Sequence, residues 1–263
     1  MKAIILAAGM GTRLGKYTEN LPKCMLEFNG KPLIQYQVET LRKAGITDVS
    51  IVRGYHPEKI NIEGVKYYQN YDYATTNMVE SLFCAQSELD EKEDILVCYA
   101  DIIYELRILK KVIESKNSIG VVVDQDYWPY WEARSTYPEN DMESLIIKNN
   151  KIIELGNPKC QREEAEFRYV GLIKFSKKAI KALKETYHDN RQKYYHQDIP
   201  WLRSKSFKKA YMTCMLQALI NAGNDIEPII VSKGWLEFDT EEDYEKYQSW
   251  KKNNTLQRFI SLT

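Results

Sequence analysis

Short apolar runs alternate with amphipathic segments through the first half of the chain, and this alternation restricts the fold more than any other feature. The first run, at residues 2–6, leads into Ala-Ala-Gly and is typical of a strand buried on both faces. Further strands are predicted at 48–52, 65–68, 94–99 and 119–124, and helices at 32–44, 77–89 and 106–115. The pattern predicts an α/β fold with a Rossmann-like, mostly parallel mixed sheet, helices on both faces, and ligands at the carboxyl ends of the strands.

The pattern changes after residue 126, where an aromatic, proline-containing stretch runs to residue 140. Segments 142–147 and 151–155 flank Asn149-Asn150, which predicts a hairpin. The rest is predicted as strands at 168–175, 226–231 and 235–238 and helices at 180–187, 211–222 and 241–250. We therefore expect a single domain of 263 residues, with a nucleotide-binding half at 1–125 and an acceptor-binding half at 126–263 that includes a smaller β-containing region.

Charge and cysteine content restrict the partners. The chain has 37 basic and 37 acidic residues without a long basic run, which argues against nucleic acid or a lipid surface as the partner. Its apolar stretches are shorter than the roughly 18 residues of a membrane span, and the five cysteines are scattered and odd in number. These features predict a cytoplasmic protein with reduced thiols, a small-molecule partner, and any metal held by oxygen atoms.

A glycine-rich loop follows the first strand, in the segment Leu-Ala-Ala-Gly-Met-Gly-Thr-Arg-Leu at residues 6–14. Glycines at 9 and 11 let backbone amides approach phosphate oxygens closely. The loop is not a dinucleotide fingerprint, because the next glycine is Gly15, and it is not a Walker loop, because Lys16 precedes a tyrosine. The cations Arg13 and Lys23 are assigned to the β- and γ-phosphates and to the reacting phosphates, respectively.

Two glycines alone favour a tight turn with solvated cations over a phosphate site. The complete string LAAGMGTRLG followed by LPKCML, however, resembles the signature of the sugar-phosphate and choline-phosphate nucleotidyltransferase superfamily. The resemblance implies a nucleotidyltransferase fold in which Arg13 and Lys23 are catalytic. The residues of the string expected to bind the nucleotide are Leu6, Ala7, Ala8, Gly9, Gly11, Thr12, Arg13 and Lys23.

Two aspartates are candidate Mg²⁺ ligands. Asp101 follows a buried strand at its carboxyl end, where a carboxylate is poorly tolerated unless it is paired or binds a metal. Asp239 closes the segment Trp-Leu-Glu-Phe-Asp, and it also begins Asp-Thr-Glu-Glu, a capping box for the last helix. The resemblance favours the metal role for both.

Three residues are predicted to contact the nucleoside. Asn77, with Glu80 three residues later, matches a helix N-cap pattern that needs no ligand. The resemblance places this helix start beside the nucleobase, where Asn77 and Ser81 have the polar atoms to recognise a pyrimidine, and it adds Ala100 to the nucleotide site.

Segments of the second half resemble a narrower group, the cytidylyltransferases that load CMP onto aminophosphonates, phosphonates or phosphoglutamine, the last for capsule synthesis. Trp128 and Trp131 would then form a wall for an organic cation, Arg134 would bind a carboxylate or phosphonate, and Asp141 or Glu143 an ammonium group. Gly171 belongs to the same predicted acceptor site. A packed aromatic lid with solvated charges is the alternative.

The combined prediction is an Mg²⁺-dependent cytidylyltransferase that transfers CMP from CTP to a small phosphorylated or phosphonylated acceptor and releases pyrophosphate. The alternatives are a sugar-1-phosphate nucleotidyltransferase using UTP, dTTP or GTP, and a non-catalytic nucleotide-binding regulatory subunit. A dehydrogenase is disfavoured by the misplaced glycine. The sequence makes no prediction for the oligomeric state or for His56, His188 and His196.

Overall fold

The computed structural model describes residues 1–262. Its strands are β1 (Lys2–Ala7), β2 (Glu27–Phe28), β3 (Lys31–Pro32), β4 (Val49–Arg53), β5 (Lys66–Gln69), β6 (Ile95–Tyr99), β7 (Ile102–Tyr104), β8 (Ile119–Asp124), β9 (Leu145–Lys148), β10 (Lys151–Leu155), β11 (Arg168–Phe175), β12 (Glu227–Val231) and β13 (Trp235–Glu237). Its α-helices are α1 (Leu33–Lys43), α2 (Met78–Cys84), α3 (Leu106–Glu114), α4 (Trp128–Arg134), α5 (Ile180–Tyr194), α6 (Met212–Asn221) and α7 (Glu241–Lys252).

The central sheet has seven strands in the order β12-β8-β11-β6-β1-β4-β5. Every neighbouring pair is parallel except the two that involve β11, which runs antiparallel to both β6 and β8. The predicted mostly parallel mixed sheet is therefore confirmed. Residues from both halves of the chain contribute to it, because β11 and β12 follow the aromatic stretch.

Helices cover both faces of the sheet, as the sequence predicts. Ile5 of β1 packs in one buried cluster with residues of α1, α3, α4 and α7, whereas the adjacent Ile4 packs in another with residues of α2, α5 and α6. Successive side chains of a strand point to opposite faces, so a continuously apolar strand can serve both clusters.

Three helices differ locally from the predictions. The helix predicted at 77–89 ends at Cys84, and a short 3₁₀ turn follows it. Helix α5 continues to Tyr194 through polar residues that lack an apolar period. The aromatic stretch contains the unpredicted helix α4, with its proline in the first turn, where proline is tolerated.

The hairpin predicted around Asn149-Asn150 is confirmed as β9 and β10. Both asparagines have positive φ, 49° and 58°, as a two-residue type I′ turn requires. The first strand of the hairpin begins at Leu145, three residues after its predicted start. Within residues 1–262 the structure contains no helix that is both long enough and apolar enough to cross a bilayer.

Candidate active site

A cavity of about 290 Å³ lies at the carboxyl ends of β1 and β6. In the sheet, Leu6 of β1 is aligned with Val52 of β4 and Tyr99 of β6, so the loops that follow these strands meet at one edge. All the residues predicted to bind the nucleotide line this cavity: Leu6, Ala7, Ala8, Gly9, Gly11, Thr12, Arg13, Lys23, Asn77, Ser81 and Ala100. Both predicted metal ligands, Asp101 and Asp239, line it as well.

The glycine at position 11 lets Lys23 approach the loop. Gly11 has a φ of +65°, and a Cβ placed on it would lie 2.9 Å from the Cβ of Lys23, closer than side-chain carbons pack. A Cβ on Gly9 would meet no heavy atom of the described chain within 4 Å, so the space beside Gly9 is open to a ligand. The two glycines thus serve different purposes: Gly11 allows Lys23 to pack against the loop, and Gly9 leaves space for a ligand.

Helix α7 anchors the far end of the loop. The backbone N–H of Lys16 donates to Glu241 Oε1 at 3.2 Å. Gly15 has a φ of +46°, and a Cβ there would overlap the Glu241 carboxylate at 1.7 Å. Gly15, whose position in the sequence excludes a dinucleotide fingerprint, therefore allows the loop to pack against α7, the helix that follows Asp239.

Pairing of β7 with β13 brings the two aspartates together. These short strands are antiparallel, with Ile102 opposite Glu237, and the N–H of Phe238 donates to the Asp101 carbonyl at 2.8 Å. Asp101 immediately precedes β7, and Asp239 lies two residues beyond β13. The sequence predicted the segment that forms β13 but not β7, and it therefore did not predict their pairing.

Four charged groups form one cluster in the cavity. Lys23 Nζ lies 2.6 Å from Asp101 Oδ2 and 2.8 Å from Asp239 Oδ1. Arg13 Nη1 lies 2.6 Å from Asp239 Oδ2, although the Arg13 side chain is 67% exposed. The two cations and two carboxylates neutralise each other, and a triphosphate with its metal would offer each of them a new partner.

The surroundings shift the pKa values of the cluster. Burial opposes the charge of Lys23, but the carboxylates of Asp101 and Asp239 outweigh it and raise its pKa. Burial raises the pKa of Asp101, and Lys23 offsets only part of this effect. For Asp239 burial is outweighed by Lys23 and Arg13, which hold its pKa below the usual range. Lys23 and Asp239 are therefore charged near pH 7.

Asp101 has the unsatisfied oxygen expected of a metal ligand. Its Oδ1 is buried and has no hydrogen-bond partner within residues 1–262. The described chain contains no group of three or more His, Cys, Asp or Glu side chains arranged to hold a metal. Two carboxylates suit Mg²⁺, which completes its octahedral shell with water and phosphate oxygens.

Asp239 is not the cap of the last helix. Thr240 is the N-cap of α7, with its side chain accepting from the N–H of Asp243 at 3.1 Å, and the Asp243 carboxylate accepts from the N–H of Thr240 at 2.9 Å. The capping box thus lies one residue later than the sequence suggested. The Asp239 carboxylate therefore does not cap the helix and lines the cavity.

Asn77 and Ser81 line the cavity, but their polar atoms already have protein partners. Asn77 is the N-cap of α2, accepting from the N–H of Met78 and donating from Nδ2 to the Lys209 carbonyl at 3.3 Å. Ser81 Oγ donates to the Asn77 carbonyl and accepts from Asn70. The capping interpretation is confirmed, and contact with a nucleobase stays a prediction.

The structure corrects two of the acceptor predictions. Trp131 is fully buried and cannot form an exposed wall, and the guanidinium groups of Arg134 and Arg168 lie 4.2 and 4.3 Å from its ring centroid. Arg134 is not free to bind an anion, because it makes two bonds to Asp243, at 2.9 and 3.0 Å, and one to Glu237 at 2.8 Å. Both residues belong to the core between α4, α7 and β13.

Replacing Arg134 with methionine should destabilise the fold by about 3–5 kcal/mol, because Asp243 would stay buried without its cation and Glu237 would keep only the longer ion pair with Arg168, at 3.7 Å. Urea unfolding followed by circular dichroism measures this difference. The matched control is Lys181→Met, which removes an exposed ion pair with Glu185 and should change stability by less than about 0.5 kcal/mol. An equal, small effect of both variants would show that Arg134 is not a structural cation.

The remaining acceptor predictions lie outside the cavity lining as well. Trp128 is half-buried and donates from Nε1 to Glu132 at 2.9 Å. Gly171 has a φ of +91°, and a Cβ there would lie 2.9 Å from Cγ of Tyr99, so this glycine allows β11 to pack against that ring. Six further residues line the cavity and were not predicted from the sequence: Cys24, Tyr73, Thr76, Met78, Tyr99 and Tyr211.

Asp141 and Glu143 differ in their partners. The carbonyl of Asp141 accepts from Arg168 at 2.7 Å, and its carboxylate lies 3.4 Å from the same guanidinium. Glu143 is partly buried, and burial raises its pKa, yet it has neither a hydrogen bond nor an ion pair in the described chain. Of the two carboxylates, Glu143 is the one available to a ligand.

The fold, the glycine-rich loop and the paired aspartates define a nucleotidyltransferase. The chain belongs to the family of the MobA-like NTP transferase domain, which matches residues 3–193. It is 36% identical to the CTP:phosphoglutamine cytidylyltransferase of Campylobacter jejuni over 93% of this chain and 98% of that protein. It is 26% identical to the 2-aminoethylphosphonate cytidylyltransferase of Lancefieldella rimae over 76% of each. The solved CTP:phosphocholine cytidylyltransferase from Streptococcus pneumoniae has the same fold, with a TM-score of 0.70, 24% identity and coverage of 94% of this chain and 97% of that one.

Proposed function

We propose that the protein transfers CMP from CTP to a small phosphorylated or phosphonylated acceptor. An acceptor oxygen attacks the α-phosphorus, the bond from that phosphorus to the bridging oxygen breaks, and pyrophosphate leaves. The observation that carries the proposal is the cluster of Lys23, Arg13, Asp101 and Asp239 in a cavity beside the glycine-rich loop. The names of the relatives support CTP as the donor.

The roles of the two cations follow from their burial. Lys23 is largely buried between the carboxylates, so its ammonium group has a fixed position from which to stabilise charge that develops on the reacting phosphate. Arg13 is exposed at the cavity and can follow the outer phosphates as they enter and leave. An acceptor oxygen is already ionised near pH 7, so the reaction needs no general base.

Magnesium is part of the proposal. Asp101 and Asp239 would hold Mg²⁺, and the unpartnered Oδ1 of Asp101 supports this assignment. When bound, Mg²⁺ would neutralise phosphate charge and polarise the phosphorus–oxygen bonds.

The acceptor is proposed to combine a phosphate or phosphonate with an ammonium group. Glu143 supports this choice, because its carboxylate is available and its charge contributes to the raised pKa values of Tyr169 and Tyr99. Burial raises the pKa of Tyr169, and the nearby charge of Glu143 adds to the shift. The ring of Tyr169 packs edge to face against Tyr99, which lines the cavity, with 5.4 Å between centroids. A carboxylate with two aromatic rings is a suitable environment for an organic cation.

The proposed compartment is the cytoplasm. Cys24, Cys84, Cys98, Cys160 and Cys214 are all free thiols in the structure. Unpaired cysteines are typical of proteins from reducing compartments.

Pyrophosphate release tests the proposal. CTP, UTP, GTP, ATP and dTTP would each be combined with Mg²⁺ and with phosphocholine, 2-aminoethylphosphonate, phosphoglutamine or glucose-1-phosphate, and a reaction without acceptor is the control. We expect release with CTP and one of the three nitrogen-containing acceptors. Release with glucose-1-phosphate and another base would replace the proposal by a sugar-phosphate nucleotidyltransferase. Nucleotide binding without turnover in any combination would favour a regulatory subunit.

A further inference from the structure

A half-exposed tyrosine from the second half of the chain lines the nucleotide cavity. Tyr211 is 48% exposed, which is unusual for a large aromatic side chain in this structure. The tyrosine hydroxyl groups that form hydrogen bonds within residues 1–262 do not include that of Tyr211. Hydrogen bonding within residues 1–262 therefore does not account for the position of the ring, and about half of the residue is accessible to a ligand.

The backbone that carries Tyr211 is fixed at the start of α2. The Lys209 carbonyl accepts from Asn77, and the Ala210 carbonyl accepts from the N–H of Val79 at 3.2 Å. Lys209 Nζ donates to the Ala74 carbonyl at 3.0 Å. Tyr211 itself is the N-cap of α6, and the next residue is fully buried. The backbone is consequently held beside the cavity, so only the side-chain torsions of Tyr211 would lose freedom when a ligand contacts the ring.

The polar side chains near Tyr211 already have protein partners, so an aromatic ring is the group most available to contact a nucleobase. Asn77 and Ser81 line the same cavity, but their side chains are engaged by Lys209, Met78 and Asn70. A nucleobase in this cavity would therefore gain little from those side chains unless existing bonds were broken. Stacking on an aromatic ring requires no such exchange, since every base has a π-face.

We propose that Tyr211 stacks against the nucleobase of the bound triphosphate. This rests on the proposed function only in taking the cavity as the triphosphate site. Tyr211 acts through binding and does not touch the reacting atoms. The nucleotide site then extends beyond residues 1–125, because the second half supplies the surface on which the base rests. Stacking supplies affinity for nucleosides in general, whereas the choice of cytosine depends on other contacts.

Binding of CTP and of inorganic tripolyphosphate, each with Mg²⁺, tests this proposal by calorimetry. The two ligands share the phosphate chain, and only CTP has a base and a ribose. We expect Tyr211→Ala to weaken CTP binding by about 5- to 150-fold, the range for one stacked base, with tripolyphosphate binding unchanged. Tyr211→Phe keeps the ring and should bind CTP like the parent protein. Tyr71→Ala, at an 86% exposed tyrosine outside the cavity, is the matched control.

Three outcomes would overturn the proposal. Unchanged CTP binding by Tyr211→Ala would show that the ring contacts nothing on the nucleotide. An equal loss for CTP and tripolyphosphate would show that Tyr211 shapes the cavity as a whole. A Tyr211→Phe variant as weak as Tyr211→Ala would assign the contact to the hydroxyl group. Turnover of the parent protein reports on the proposed function separately, because base-dependent binding is measured without an acceptor.

Discussion

Replacing Lys23 with methionine is expected to lower turnover by about 10²–10³-fold, the loss typical of removing one preorganised charge from an active site. Methionine keeps most of the side-chain volume but not the ammonium group that lies within 2.8 Å of both aspartates. The loss should appear in kcat rather than in KM for the acceptor, because charge on the phosphate grows as the new bond forms. Steady-state pyrophosphate release measures both constants.

The variant also tests whether Lys23 serves only as a counter-ion. Without it, Asp101 and Asp239 face each other with only the exposed Arg13 to compensate, so the melting temperature should fall and should recover on addition of Mg²⁺. Lys110→Met, at an exposed lysine of α3, should match the parent in both measurements. Normal turnover combined with a lower melting temperature would show that Lys23 has only a structural role.

The sheet could be predicted because its strands carry a strong local signal. Strand β1 is apolar on both faces, and a strand of that kind must be covered by helices on each side. Helix α4 could not be predicted in the same way. It is short and aromatic, and the contacts that stabilise it come from α7 and β13, more than 100 residues further along the chain.

The nucleotide site could be predicted for a similar reason, since seven of the residues that line the cavity lie in one continuous segment at residues 6–13. The acceptor side depends on long-range partners. The spacing of Trp131 and Arg134 gives no indication that Asp243 occupies the guanidinium. Tyr211 carried no signal because it borders an apolar helix, where an aromatic residue usually belongs to the core.

The position of the capping box shows how one residue changes an interpretation. Asp239-Thr-Glu-Glu and Thr240-Glu-Glu-Asp both satisfy the capping pattern in sequence. Only the backbone geometry selects Thr240 as the cap. With Thr240 as the cap, the Asp239 carboxylate lines the cavity, and the proposal that two carboxylates hold Mg²⁺ depends on this position.

Replacing Asp101 with asparagine is expected to raise the Mg²⁺ concentration for half-maximal turnover by at least about tenfold, because even indirect disturbance of a metal site weakens affinity by that factor. The variant keeps the shape of the side chain and loses the charge of the oxygen that has no partner in the described chain. The Mg²⁺-dependent rise in melting temperature, measured with CTP but without acceptor, should shrink in parallel, which gives a readout independent of catalysis. Asp225→Asn removes an exposed carboxylate that pairs with Lys151, and it should titrate like the parent. If Asp101→Asn also titrated like the parent, Asp101 would be only the partner of Lys23, and the metal would have to be held by Asp239 and the phosphates.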